Sequence, residues 1–444
     1  MKGLLSDSLF KVIFRNTAFL ASGKLIAGVA GWGMLLCETH GLSSGAFGVL
    51  ILITSYIEVF RALGRFQGWQ IILHYAAIPW KNGDRRSVVD TIRFAIGLDL
   101  VSGLATMVVA MAVVMLFGNL LGVRPEHRSL VMLCCTLLPG LCGSSNVGIL
   151  RLFDRVGIMA RQNAICALLR LATAFIAWCL DGNIVTFVLA WYAGRLLGQL
   201  YCAWQGWRVL KSFNMQEAFS FTWPWKYAHM PANIWSFAWM ASLNVLLFSS
   251  WKPLSNLLVG SMFGNVLAGD YALALKVTDA VASPAKLLEK NYYPEIVKLD
   301  PRTLRPWKFT MRFCLLSGLL ALVGMGVVYG FGPWLIRLFG HHYGLSAQLL
   351  VWMAPAIFFC SLPGPLDGIL YTSGREKALM MIEASGVVSY LALLYGLSQF
   401  WGTFGIGLAY TLGRALTALL MVALALMVFW NRRNIILPHE RRKS

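Results

Sequence analysis

The chain has 444 residues, 58% of them hydrophobic and only 13% charged, with a net charge of +19. A soluble domain carries about 25% charged residues, so the composition excludes an ordinary soluble enzyme and points to a helical protein that crosses a bilayer repeatedly. In a soluble protein the positive charge would suggest nucleic acid; here the cations gather at the ends of apolar runs, which favours lipid headgroups and topology and leaves no nucleic-acid partner expected.

The first apolar run, Thr17–Cys37, carries one charge, Lys24, about 10 Å in from one end at about 1.5 Å per residue. An ionisable group that deep costs about 3 kcal/mol. The run lacks a small-residue cleavage site, so it reads as a retained helix rather than a signal peptide. A second span, Ser43–Leu63, leads into Ala62–Trp80, where Arg, Gln and His alternate with aromatic and aliphatic groups. That pattern predicts a helix lying in the headgroup layer as a cap, gate or lipid-docking element. Four more spans complete the first half: Ile92–Leu121, Leu130–Leu150, Asn163–Leu180 and Ile184–Trp204. The longest linker, Gln205–Phe237, is ringed by Trp204, Trp207, Trp223, Trp225 and Trp235, as interfacial anchors are. Then follow Ala238–Gly260, Asp270–Leu288, Arg312–Ile336, Ser346–Leu370, Ala378–Trp401 and Gly405–Trp430, and a basic tail ending His439–Ser444 that suits anionic lipid.

The N-terminus, the tail and every second connection, with their flanking helix ends, hold 29 of the 38 Lys and Arg. The opposite connections hold only Arg124, Arg128 and Arg337. The asymmetry places both termini in the cytoplasm.

The two halves repeat each other. Gly45–Ile53 resembles Gly269–Val277, Arg93–Phe94 matches Arg312–Phe313, and Gly148–Arg155 matches Gly368–Arg375. The expected architecture is all-α. It has an N-terminal six-helix bundle (1–204), a cytoplasmic linker (205–237), a C-terminal six-helix bundle (238–430) and a tail (431–444). A pseudo-two-fold axis along the membrane normal would relate the bundles around a central cavity. Pro139 in span 4, Pro253 in span 7, and Pro355, Pro363 and Pro365 in span 10 loosen their helices.

Six cations fall inside spans: Lys24, Arg170, Arg195, Lys252, Lys276 and Arg414. The deep acids are Asp99 and Asp279; Glu58, Asp367 and Glu383 lie nearer the cytoplasmic ends. Each cation could pair with an acid on a neighbouring helix or snorkel, and Asp279 has Lys276 three residues before it, on one helix face. As a set, the cations outnumber the deep acids. That favours a hydrated cationic cavity admitting an anionic headgroup, with phosphate the natural ligand for Arg and Lys. Asp99 and Asp279 are candidate ion-coupling residues, with a structural salt bridge or hydrogen-bonded acid as the alternative for Asp99.

The sequence contains no P-loop, zinc-protease or nucleophile-elbow motif. The nine cysteines show no metal spacing and read as small packing residues. No catalytic residue, metal or cofactor is expected. The short outer connections leave little room for a catalytic domain, and the basic G-x-x-x-D-R loop of major facilitators is missing after span 2.

Several stretches carry a family resemblance: Phe47–Tyr56 (FGVLILITSY), the following RFQGWQxxxxYAA (Arg65–Ala77), Ser145–Arg155 (SNVGILRLFDR) and Tyr292–Glu295. With twelve spans in six plus six, the chain resembles the polysaccharide-exporter (Wzx-type) flippases, in the superfamily that also holds multidrug extruders. The resemblance implies translocation of an undecaprenyl-diphosphate-linked oligosaccharide repeat unit from the cytoplasmic to the periplasmic leaflet of a bacterial inner membrane, by ion-coupled alternating access. Its implied partners are membrane lipids and the polysaccharide polymerase and chain-length machinery. An ion-coupled drug antiporter of the same fold is the main alternative; a cavity for organic cations would be acidic or aromatic instead.

Overall fold

Each apolar run expected to cross the membrane is helical in the structure. The computed structural model describes residues 8–119, 121–221, 223, 234–296, 299–340 and 342–432, with side chains from 23 onward except at 244–245, 247–248, 287–291 and 293–295. The tail motif His439–Ser444 and the centre of the 205–237 linker, Trp225 included, lie outside these residues.

By contacts the chain divides into two compact units, Met1–Val266 and Leu267–Ser444. The first holds α1 (Ser8–Gly41), α2 (Ser44–Gly64), α3 (Gly68–Lys81), α4 (Arg85–Phe117), α5 (Arg128–Cys135), α6 (Leu138–Cys142), α7 (Ser145–Leu152), α8 (Val156–Cys179), α9 (Ile184–Ser212) and α10 (Ile234–Phe263). The second holds α11 (Asn265–Ile296), α12 (Leu304–Arg337), α13 (Gly344–Met353), α14 (Pro355–Ser361), α15 (Leu366–Thr372) and α16 (Glu376–Trp430). Among the described residues there is no strand. Span 7 is α10, which packs on α2: Asn256 donates to Ser55 Oγ at 2.9 Å, and Gly260 lies against Leu52. A lobe boundary within 205–237 is carried forward as a proposal resting on the repeated sequence.

Local chemistry sets the helix ends. Ser43, Asp84 and Asn183 cap α2, α4 and α9, each side chain accepting from a backbone N–H three residues on and satisfying a donor the helix leaves open. The chain leaves α2 through Gln67, whose φ of +51° is left-handed. It then enters α3, a 14-residue helix. At about 1.5 Å per residue this is too short to span. α3 buries Ile71, Ile72 and Ala76 and packs on α4 and α7. Its Trp80 meets Phe153 and Phe213 edge-on, and those two rings stack on each other; nearby Arg93 pairs with Glu217 at 3.3 Å.

The fourth span of each half is broken. α5 and α6–α7 bend by 53°, and α13 and α14–α15 by 44°. The breaks fall where Pro139 and Pro355 enter the first turn of a new helix, a position that tolerates the missing N–H. Spans 11 and 12 are two helical arms, together α16, that meet at Gly402 (φ +53°, ψ −129°). Contacts of Gly386 with Thr417, Gly413 with Tyr390 and Gly405 with Leu397 pair residues symmetrically about that glycine. The two arms, 376–401 and 403–430, therefore run antiparallel. In the first unit, by contrast, Gly23 meets Ala160 and Gly33 meets Leu171. Residue numbers rise together there, so α1 and α8 are parallel, as alternate spans must be.

Candidate functional site

The first unit encloses a cavity of about 530 Å³ bounded by α4, α6, α7, α8 and α9. Glycines let its walls close. Gly194 and Gly198 of α9 lie against Arg170 and Cys166 of α8, and Gly103 of α4 lies against Pro139. Its polar lining is Asp99, Asn146, Gln162, Asn163, Arg170, Arg195 and Gln199, with Cys166 and Cys202 beside them.

Arg195 donates from Nη2 to Glu58 Oε1 at 2.7 Å, while Arg61 donates from Nε to Glu58 Oε2 at 2.5 Å. Arg170 donates from Nε to the carbonyl of Cys166 at 3.2 Å, one turn back on its own helix. Its charge also bears on Glu58. Arg65 faces both Arg61 and Asp99. Glu58 thus holds two guanidiniums directly, Arg61 and Arg195, with those of Arg170 and Arg65 close enough for their charge to be felt. Around the cavity two buried donors, Arg195 Nε and Gln162 Nε2, and two buried acceptors, Asn146 Oδ1 and Asp99 Oδ1, make no hydrogen bond within the chain; the donors suit an anion's oxygens and the acceptors suit hydroxyl groups. The arrangement suits an anion with several acceptor oxygens, because guanidiniums offer paired donors.

Asp99 lines the same cavity, and one of its carboxylate oxygens is engaged by the chain itself. Its Oδ2 accepts from the backbone N–H groups of Ser144 and Ser145, both at 2.7 Å, and from Ser145 Oγ at 2.5 Å. It thereby caps α7 at a second interruption of span 4, the α6–α7 junction after Gly143, supplying negative charge to a helix N-terminus. Gly68 sits over this knot; a Cβ there would lie 2.6 Å from Ser145 Oγ.

The other proposed site residues lie elsewhere. Lys24 is exposed on α1 and is not among the residues lining the cavity. Lys252, half-buried on α10, sits 5.2 Å from the ring of Trp251. In the second unit Lys276 is exposed on α11. Asp279 pairs with Lys286 at 3.3 Å, two turns further along α11. Arg414, on the second arm of α16, lies over Tyr410 at 5.9 Å and faces the charges of Glu383 and Asp279. The structure therefore gathers Arg170, Arg195 and Asp99 at one cavity. Sequence reasoning left out Glu58, Arg61 and Arg65, and the amides of Asn146, Gln162 and Gln199. The usable signal was Glu58 three residues before Arg61 in an otherwise apolar span, a spacing that pairs charges on one face.

No family model matches the chain. Its fold is that of the MOP-superfamily transporters. An inward-facing multidrug resistance MATE family transporter of that superfamily superposes with a TM-score of 0.72 at 13% identity, covering 92% of this chain and 96% of that one. The lipid II flippase MurJ in an inward closed conformation gives 0.67 at 11% identity, over 95% and 90%. A MOP superfamily transporter from Pyrococcus furiosus, reported for the reverse polarity of its binding pocket, gives 0.62 at 12%, over 95% and 96%. At the level of sequence, the inner membrane protein YghQ of Escherichia coli (strain K12) is 33% identical over 344 residues, 77% of this chain and 97% of that protein. The chain belongs to the family of that inner membrane protein.

Proposed function

We propose that the protein is a flippase that moves an undecaprenyl-diphosphate-linked oligosaccharide repeat unit from the cytoplasmic to the periplasmic leaflet by ion-coupled alternating access, with both termini cytoplasmic. The observation that carries this reading is the pair of guanidiniums on the cavity wall, Arg170 and Arg195, facing one lining carboxylate, Asp99, with Arg195 tied behind the wall to Glu58, which Arg61 also holds. A sugar headgroup cannot cross hydrocarbon unaided, since each unpaired hydroxyl costs several kcal/mol. The cavity's amides, Asn146, Gln162, Asn163 and Gln199, would replace water around the sugar while the arginines hold the diphosphate. Lys24, Lys252, Lys276 and Arg414 are further headgroup contacts in this reading, for conformations in which they reach the path. Asp99 and Asp279 remain its candidate coupling acids. The fold shared with a lipid II flippase supports a lipid-linked substrate. Deleting the gene tests the proposal: a lipid-linked saccharide should accumulate on the cytoplasmic leaflet, and the absence of any such accumulation would overturn it.

The fold shared with multidrug transporters favours a second reading, an ion-coupled drug antiporter. Ion-driven efflux of a labelled organic cation from vesicles, with no translocation of lipid-linked saccharide, would establish it instead.

A further inference from the structure

Two thiols on the cavity wall are unexplained by anion binding. Cys166 of α8 and Cys202 of α9 bring their sulfurs to 3.6 Å, and both are half-buried and line the cavity. The helices approach closely here. A Cβ on Gly198, one turn before Cys202, would stand 3.4 Å from Cys166 Sγ and 4.0 Å from its Cα. Asn146 holds the backbone of Cys202 by donating to its carbonyl at 2.5 Å. By contrast, Cys134, Cys135, Cys142 and Cys314 are fully buried. The packing role expected of the cysteines fits these four.

We propose that Cys166 and Cys202 are a thiol–disulfide modification site, in which Cys166 attacks and Cys202 resolves, so that oxidation staples α8 to α9. The sulfurs must close from 3.6 Å to about 2.05 Å, a change within reach of side-chain rotation because the two backbones already touch at Gly198. The oxidant is a small anionic disulfide, drawn in by Arg170 and Arg195 on the same wall. The Cys166 thiolate, having given up its proton, attacks one sulfur of that disulfide and expels the other half as a thiolate. The Cys202 thiolate then attacks the Cys166 sulfur of the mixed disulfide and expels the second half. Two protein thiols lose two protons and two electrons, and one small disulfide becomes two thiols. In a reducing compartment the pair rests as dithiol. Cys166 lies one turn from Arg170, and Cys202 lies two turns beyond Arg195. The staple therefore fixes the wall that carries both arginines and shuts the cavity to rearrangement. The chemistry of the site is independent of the transport reading; only its consequence for translocation rests on it.

Reduced protein in detergent is treated with glutathione disulfide and mapped by mass spectrometry after alkylation. The expected result is a Cys166–Cys202 cross-linked peptide, two hydrogens lighter than the reduced pair and reversed by dithiothreitol. In C202S, Cys166 should be trapped as its glutathione adduct. Two independent glutathione adducts in the wild type, or both cysteines left alkylatable, would overturn the proposal. In vesicles, oxidised wild type should lose translocation relative to its own reduced form, while C166S, which lacks the attacking thiol, shows the same rate before and after oxidant. Cross-linking with unchanged translocation would keep the site and remove its regulatory consequence. Absence of any saccharide translocation in reduced protein would count against the flippase reading alone.

Discussion

The cavity of the first unit and the Arg414 cluster of the second treat the same problem, a guanidinium inside a membrane protein, in opposite ways. Around Arg414 the opposing charges are Glu383 and Asp279, with Tyr410 beneath the guanidinium; Asp279 also takes Lys286. Cations and acids come out even. Around Arg195 and Arg170 the ratio is four cations to two acids, beside a cavity of about 530 Å³ with unpaired polar atoms in its wall. A balanced cluster suits holding helices together, whereas an excess of guanidinium beside a polar cavity suits the anion-binding role proposed for it. Intramembrane position alone does not make an arginine functional; the local charge balance does.

That contrast can be broken by removing charges on either side. The largest effects are expected where a buried pair loses one member, which costs about 3 kcal/mol. In the first unit the vulnerable residue is the acid. Glu58→Gln strips Arg61 and Arg195 of their counter-charge and should lower thermal stability in detergent sharply. In the second unit the vulnerable residue is the cation, so Arg414→Ala should be comparably destabilising. Similar, small shifts in both would erase the distinction. Arg170→Ala is expected to behave differently: near-normal melting, because its bond in the structure is to its own helix, but weaker headgroup binding by about 2 kcal/mol, the worth of one charge-assisted bond.

Two smaller effects test the frame that carries these sites. Gly402→Ala meets no neighbouring atom within 4 Å, so its cost is backbone strain alone, about 1–2 kcal/mol for a conformation essentially reserved for glycine. An unchanged melting temperature would remove Gly402 as the turn of the α16 hairpin. The smallest effect is at Asp84, whose carboxyl is held below the usual range by the hydroxyl and backbone N–H of Ser87. A depressed pKa contributes stability above the unfolded value of about 3.9, lost as pH falls through the lower folded value. Asp84→Ala should therefore narrow the stability difference between neutral pH and pH below 4, measured by thermal melting across that range.

Much of the fold could be read from the chain. Apolar runs of membrane-spanning length became helices, Pro139 and Pro355 stand at the breaks in the fourth span of each half, and the short gap between the spans ending at Trp401 and starting at Gly405 contains the turn at Gly402. The site was legible in part. Arg170 and Arg195 could be selected because a cation in an apolar run stands out. Glu58 was passed over because a depth argument treats each helix as a separate rod, whereas the side chain is enclosed by its neighbours on α2 and α9. The choice of Lys286 over Lys276 as a partner for Asp279 is a matter of which side chain turns toward it, and helical spacing permits both. The capping of α7 by Asp99 depends on a helix start exposed only by the break in span 4, so no periodicity reveals it.

The central claim is that the first unit's cavity holds an anionic diphosphate headgroup. The most direct measurement is binding of undecaprenyl diphosphate to purified protein in lipid nanodiscs, comparing wild type with Arg170→Ala/Arg195→Ala at equal folded fraction. The account predicts a loss of affinity of about 100-fold or more in the double variant, two charge-assisted contacts of at least 1.5 kcal/mol each. Wild-type affinity in the double variant would contradict it.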